Sequence, residues 1–159
     1  MKYTKFLAVI IIGIVMSSQA QADGIVETAK LAAQACINGL SGKSQDNSFL
    51  LNYGFQKNGK KYIKKATVLG LRGHTDRASI SMRRNTSCSF SYGTNRGAHE
   101  AHEAFKAVFR NSGYEERIVK DRNRQRSAFV VNGALIEIMG SEGSAHSSYF
   151  TEITAFIRG

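Results

Sequence analysis

The chain has 159 residues, contains no proline, and carries a formal net charge of +10 at pH 7. The length fits one domain once a leader is removed, and no Ser/Gly-rich linker marks a second one. The composition therefore excludes a multidomain or low-complexity chain, and the positive charge favours anionic partners.

The first twenty-two residues have the layout of a secretory signal peptide. Two lysines precede an unbroken apolar run of eleven residues, 6–16, and the small residues that follow end in Ala-Gln-Ala. The run is shorter than the roughly 20 residues that span a bilayer. We therefore predict cleavage after Ala22 and a single exported domain, residues 23–159, that is periplasmic or secreted and has no transmembrane segment.

The first elements of this domain are predicted to be helical. Apolar residues at helical spacing indicate a helix from Asp23 to about Asn38, with Gly39 as its stop. A polar loop follows. Residues 48–55 fit either a short helix that ends at Gly54 or a strand that leads into a hairpin at Asn58–Gly59, and we favour the helix.

Strands are predicted next. One or two lie within residues 60–71, and residues 78–82 and 88–92 alternate apolar with polar side chains. Residues 84–86 fit a turn. Cys88 falls on the apolar face of its strand and Cys36 on the inner face of the first helix, so the two cysteines of an exported chain are predicted to form a disulfide.

The second half repeats this progression. The clearest helix covers residues 98–111, and strands are predicted at 128–131 and 134–139 around an Asn132–Gly133 turn. A Gly/Ser-rich loop, 140–147, precedes a last strand from Ser148 to about Arg158. The predicted fold is a two-layer α+β domain of approximate order α(α)βββ-α-βββ, with helices packed on one face of an antiparallel sheet.

A short pattern occurs in both halves. Residues 50–55 and 108–114 each place an apolar helix end before a glycine and an aromatic residue, followed by a charged stretch. The similarity is consistent with a weak internal duplication.

Histidines are the only candidates for acid–base chemistry. His99 and His102 are three residues apart, whereas a zinc-protease helix needs two histidines four apart. The simpler interpretation is that both lie on the wet face of their helix. His74 lies beside Asp76 and Arg77, so a ribonuclease-like site that joins His74 with His99, His102 or His146 is the alternative to a polar turn.

Basic residues provide the stronger functional signal. Between residues 57 and 126 there are 17 Lys/Arg and six Asp/Glu. If the charged stretches of the two pseudo-repeats lie together, they share one edge of the domain. A solvated face that keeps the protein in solution is the competing interpretation. The predicted partner-binding residues are Lys57, Lys60, Lys61, Lys64, Lys65, Arg83, Arg84, Arg122, Arg124 and Arg126.

These observations favour a non-catalytic, exported binding protein whose basic surface engages an acidic macromolecule, for example as an inhibitor or immunity-type protein. An acidic protein is the first candidate partner, and anionic lipid, polysaccharide or nucleic acid are the others. No cofactor, metal or catalytic residue is predicted. The alternatives are a small secreted phosphodiester hydrolase that uses histidines, and an envelope protein that coats anionic lipid or polysaccharide.

Overall fold

In the residues that it describes, a computed structural model of the chain contains two α-helices, a short 3₁₀ helix and eight strands. Helix α1 covers residues 24–40 and helix α2 covers Ala98–Asn111, while the 3₁₀ helix is Ser48–Tyr53. The strands are β1 Gln56–Asn58, β2 Lys61–Ala66, β3 Asp76–Arg83, β4 Ser87–Tyr92, β5 Glu116–Asp121, β6 Arg124–Val131, β7 Ala134–Ala145 and β8 Ser148–Ile157. The structure describes residues 24–42, 46–66, 76–83, 86–93, 97–121, 124–145 and 148–158.

All eight strands form one antiparallel sheet of order β1-β2-β3-β4-β8-β7-β6-β5. The order consists of two four-stranded meanders that meet where β4 pairs with β8, with Phe90 opposite Ile153. We call residues 24–96 the first unit and residues 97–159 the second unit. Each unit begins with a helix and continues into one meander.

The predicted two-layer α+β architecture is confirmed, with one more strand in each unit than the sequence predicted. β1 has three exposed residues, and β5 has only two apolar residues, which stand between charged pairs in the sequence Glu-Arg-Ile-Val-Lys-Asp. Both are edge strands of the sheet. An edge strand covers less of the core than a central one, so its sequence needs no continuous apolar face.

The sequence predicted that helix α1 stops at Gly39, but the helix continues one residue further, to Leu40. The reason lies in packing against the sheet. A Cβ atom on Gly39 would overlap the end of the Met82 side chain in β3. The glycine therefore leaves room for this side chain between helix and sheet. The predicted cap, Asp23, lies outside the described residues.

The repeated pattern proves to be a repeated backbone geometry. In the first unit, Gly54 adopts φ 80°, the Phe55 amide donates to the Leu50 carbonyl at 3.2 Å, and Gly54 donates to Leu51. In the second unit Gly113 also has φ 80°, and the Tyr114 amide donates to the Phe109 carbonyl at 3.3 Å. Both are Schellman C-terminal turns, which use glycine for the left-handed residue. The favoured helix and the Asn58–Gly59 hairpin are both present.

The predicted loop at residues 140–147 is wrong for most of its length. β7 continues to Ala145 and pairs with β8 as far as Ala145 opposite Ser148. The long pairing satisfies the backbone groups of this Gly/Ser-rich segment, which has low strand propensity by composition. Only residues 146 and 147, at the hairpin end, lie outside the described part.

Both helices lie on the same face of the sheet and enclose the core. Cys36 of α1 and Cys88 of β4 form the predicted disulfide, with their Cα atoms 5.3 Å apart. In the second unit the ring of Phe109 in α2 lies 5.1 Å from that of Phe129 in β6. The opposite sheet face, which we call the open face, carries no helix in the part of the chain that the structure describes.

Candidate functional site

The basic stretches lie at two opposite edges of the sheet, not at one. The residues from Lys57 to Lys65 occupy the β1–β2 hairpin, whereas those from Arg117 to Arg126 occupy the β5–β6 hairpin. Four strands separate β2 from β6, which corresponds to about 24 Å across the sheet. The expectation of a shared edge is therefore wrong, because equivalent hairpins of the two units lie at opposite ends of the strand order.

Carboxylates pair with most of the described cations of the second unit, with Lys120 as the exception. Arg117 Nε lies 3.1 Å from Glu115 Oε1, and Arg110 Nε lies 2.5 Å from Glu116 Oε2. The hydrogen bond from Arg110 holds the pKa of Glu116 below its usual value. The sequence agrees, because residues 97–159 contain eight Lys/Arg and eight Asp/Glu. This half of the predicted surface has little charge left for a partner.

A buried carboxylate on the open face pairs with two more of these cations. The side chain of Glu137, in β7, is only 4% exposed, and its oxygens lie 3.5 Å from Arg126 Nη1 and 2.9 Å from Arg158 Nη1. Sequence reasoning missed Glu137 and counted Arg126 as an available cation. The only signal was a charged residue at an outward position of an otherwise apolar strand.

The predicted binding cations of the first unit are less compensated than those of the second, although Lys57 interacts electrostatically with Asp46. Lys57, Lys60, Lys61 and Arg83 are exposed, and none forms an ion pair with any described residue. Residues 24–96 contain twelve Lys/Arg and three Asp/Glu. Charge without internal partners is the charge that an external anion can use.

The remaining predicted binding residues fall into three groups. Lys64 is half-buried, and its Nζ lies 5.8 Å from the centre of the Phe55 ring. Arg84 and Arg122 lie outside the described residues. For Lys65 and Arg124 the structure gives the backbone positions in β2 and β6.

Of the aromatic residues that flank the first basic stretch, only Tyr53 offers substantial surface, with 49% exposed. Phe55 and Tyr62 are buried in the core. Tyr114, beside the second stretch, packs against Phe109 with ring centres 6.3 Å apart. The aromatic residues therefore build the core instead of a stacking platform.

The histidines do not assemble into the predicted acid–base site. His74 and His146 lie outside the described residues, and His99 is exposed. His102 is half-buried instead of lying on a wet face, because its ring packs on the backbone of Gly140 in β7. Burial, with a contribution from Lys106, lowers the pKa of His102. Its Nε2 atom is buried without a hydrogen-bond partner.

Lys106 of α2 is buried as well, although it is charged. It lines a cleft of about 410 Å³ with His102, between α2 and the point where β6 and β7 separate. Its Nζ atom lies 2.5 Å from Glu103 Oε1, and this hydrogen bond lowers the pKa of Glu103. The cleft holds compensated charges. No group of three or more His, Cys, Asp or Glu suited to a metal ion occurs among the described residues.

Comparisons with known proteins identify no relative: no family model, curated protein or solved structure matches this chain. Within the described ranges, no helix has the length and apolar character needed to cross a membrane. The exposed charges of the domain surface are therefore the remaining indication of function.

Proposed function

We propose that this protein is an exported, non-catalytic binding protein, and that the basic edge of its first unit engages an acidic macromolecule. We define the basic edge as Lys57, Lys60 and Lys61 of the β1–β2 hairpin. The observation that carries the proposal is that these cations are exposed and form no ion pair with a described residue, whereas most of the described cations of the second unit form one.

An acidic protein is the partner that this arrangement favours. A net charge of one sign concentrated on one unit attracts an oppositely charged protein and aligns it before contact. The inhibitor or immunity-type role is one form of such binding. The disulfide between Cys36 and Cys88 is consistent with export, because such bonds persist in oxidising compartments.

Capture of partners from an envelope extract at physiological salt tests this function. The parent protein is compared with a variant in which Lys57, Lys60 and Lys61 are replaced by glutamate. A matched control replaces Lys30, Arg117 and Lys120, which are also exposed, so that the total charge change is the same. We expect one acidic protein to be retained by the parent and the control but lost from the variant.

Two results would contradict the proposal. Equal loss from the variant and the control would show that only total charge matters. Retention of lipid, polysaccharide or nucleic acid alone, released by modest salt, would support the envelope-coating alternative.

Export is tested separately by the mass of the protein recovered from the periplasm or medium. We expect a chain that begins at Asp23 and retains both cysteines as a disulfide. A full-length chain in the cytoplasm with free thiols would exclude the exported form.

A further inference from the structure

The open face of the first unit is lined by serines in regular rows. In β3 and β4 the inward side chains are apolar; the outward positions are all serine in β4, and in β3 they are two serines flanked by Arg77 and Arg83. Ser81 lies opposite Ser89, and Ser79 lies opposite Ser91 with 2.7 Å between their hydroxyl oxygens. The five serines of this face, all half-buried, are Ser79, Ser81, Ser87, Ser89 and Ser91. We call them the serine rows.

Short side chains have a physical consequence for docking. Each serine projects little beyond the backbone, so that a partner can approach the sheet closely. Each hydroxyl can donate one hydrogen bond and accept two, which suits carboxylates and peptide groups alike. A solvated sheet face that serves only solubility is usually lined by long charged residues, which resist such approach.

Among the side chains that the structure describes, two exposed cations adjoin the serine rows. Lys61 in β2 lies opposite Ser81, and Arg83 in β3 lies opposite Ser87. On the far side, Glu152 in β8 lies opposite Ser91 and is exposed. The face is thus positive toward β2 and β3 and negative toward β8, a gradient that gives an acidic partner one preferred orientation.

We propose that the serine rows are the contact surface for the acidic protein, whose carboxylates meet Lys61 and Arg83 while its backbone lies over the serines. The proposal rests on the proposed function. An acidic polypeptide fits better than single-stranded nucleic acid, because the described part of this face offers no exposed aromatic ring on which bases could stack.

Binding to fluorescent poly-L-glutamate at physiological salt tests the location of the contact. The key variant is Ser81→Tyr/Ser89→Tyr, which adds bulk at the centre of the rows without altering charge. The matched control is Gln34→Tyr/Asn52→Tyr, at exposed sites away from this face. We expect the dissociation constant to rise by about tenfold or more in the key variant, corresponding to about 1.4 kcal/mol, and to stay unchanged in the control.

Thermal unfolding identifies any variant that fails to fold. In that case the single substitution Ser89→Glu, with Asn52→Glu as its control, tests whether the serine rows contact the polymer. We expect the loss of binding to be larger at Ser89, because a carboxylate there repels the polymer at the contact.

The possible results distinguish failure of this inference from failure of the proposed function. In one result, the tyrosine variant binds poly-L-glutamate normally while Lys57/Lys60/Lys61→Glu does not. That result would show that the basic edge binds the polymer and that the serine rows are not the contact surface. If the parent does not bind poly-L-glutamate, both proposals fail. If a short single-stranded oligonucleotide displaces the polymer from the rows at lower concentration, the assignment to an acidic polypeptide is overturned.

Discussion

The first and second units follow the same chain path but are stabilised by different contacts. In the first unit, α1 presents small residues such as Ala29, Ala32 and Ala33 to the sheet, and a disulfide joins it to β4. In the second unit, α2 presents Phe105 and Phe109, whose rings are 5.8 Å apart. Alanine side chains bury less apolar area than phenylalanine rings, and the disulfide adds a covalent link between helix and sheet in the first unit.

The two units also differ in how many of their cationic side chains form ion pairs. In the second unit most described cations form ion pairs, two of them with the buried Glu137. In the first unit the lysines of the β1–β2 hairpin are exposed. The described cations of the β5–β6 hairpin thus largely pair with carboxylates, whereas the β1–β2 hairpin keeps exposed lysines, which we propose contact a partner.

The largest effect is expected from the aromatic packing of the second unit. Phe109→Ala removes a fully buried ring that contacts Phe105, Tyr114 and Phe129. We expect a loss of about 3 to 5 kcal/mol in the free energy of unfolding, measured by denaturant titration. Val108→Ala, at a half-buried site of the same helix, should cost less. Equal losses would show that the aromatic cluster is not the main source of stability.

Removal of the disulfide probes the first unit in the same way. Cys36→Ala/Cys88→Ala releases a loop with a sequence separation of 52. We expect a loss of up to about 4 kcal/mol in unfolding free energy by the chain-entropy argument. Reduction of the parent protein is the control. A change in unfolding free energy below about 1 kcal/mol would show that the disulfide contributes little to the stability of the first unit.

The buried carboxylate gives a smaller effect. Glu137→Gln leaves the guanidinium groups of Arg126 and Arg158 without their anion, and should lower the unfolding free energy by about 1 to 3 kcal/mol. Glu115→Gln is the matched control, because its ion pair with Arg117 is exposed and contributes little. Similar values for the two substitutions would mean that burial of Glu137 has no energetic consequence.

Acid should weaken the second unit through His102. Burial lowers its pKa below the ordinary value of 6.5, so the unfolded chain binds a proton at a higher pH than the folded chain does. Stability is therefore fully present above that value and decreases as pH falls toward the folded-state pKa. We expect His102→Gln to show a shallower decrease below about pH 6.5 than the parent, by denaturant unfolding at several pH values. His99→Gln, at an exposed site, is the control, and identical slopes for parent and His102→Gln would exclude this role.

Much of the fold could be predicted from local patterns. The helix Ala98–Asn111, the alternation in β3 and β4, the Asn132–Gly133 turn and the disulfide were confirmed, because each depends on residues close in sequence or on a face that periodicity defines. The strand β5 and the extension of β7 were missed. Their backbone groups are satisfied by neighbouring strands, and pairing of this kind leaves little trace in composition.

The candidate surface was only partly accessible to sequence reasoning. The sequence identified cationic stretches, but whether a lysine is free or paired depends on what lies beside it in space. Glu137 is eleven residues from Arg126 and twenty-one from Arg158, and their association follows from strand pairing and packing. The serine rows likewise become one surface only when β3 and β4 align in register.

The sequence by itself therefore determined the helix faces, the two cysteines on apolar positions and the excess of positive charge, because periodicity and composition are local properties. Only the tertiary structure decided that the two basic hairpins lie at opposite edges, that one of them is neutralised, and that the outward serines share a face. The physical reason is that strand order and ion pairing join residues distant in the chain, and Coulomb energy depends on separation in space.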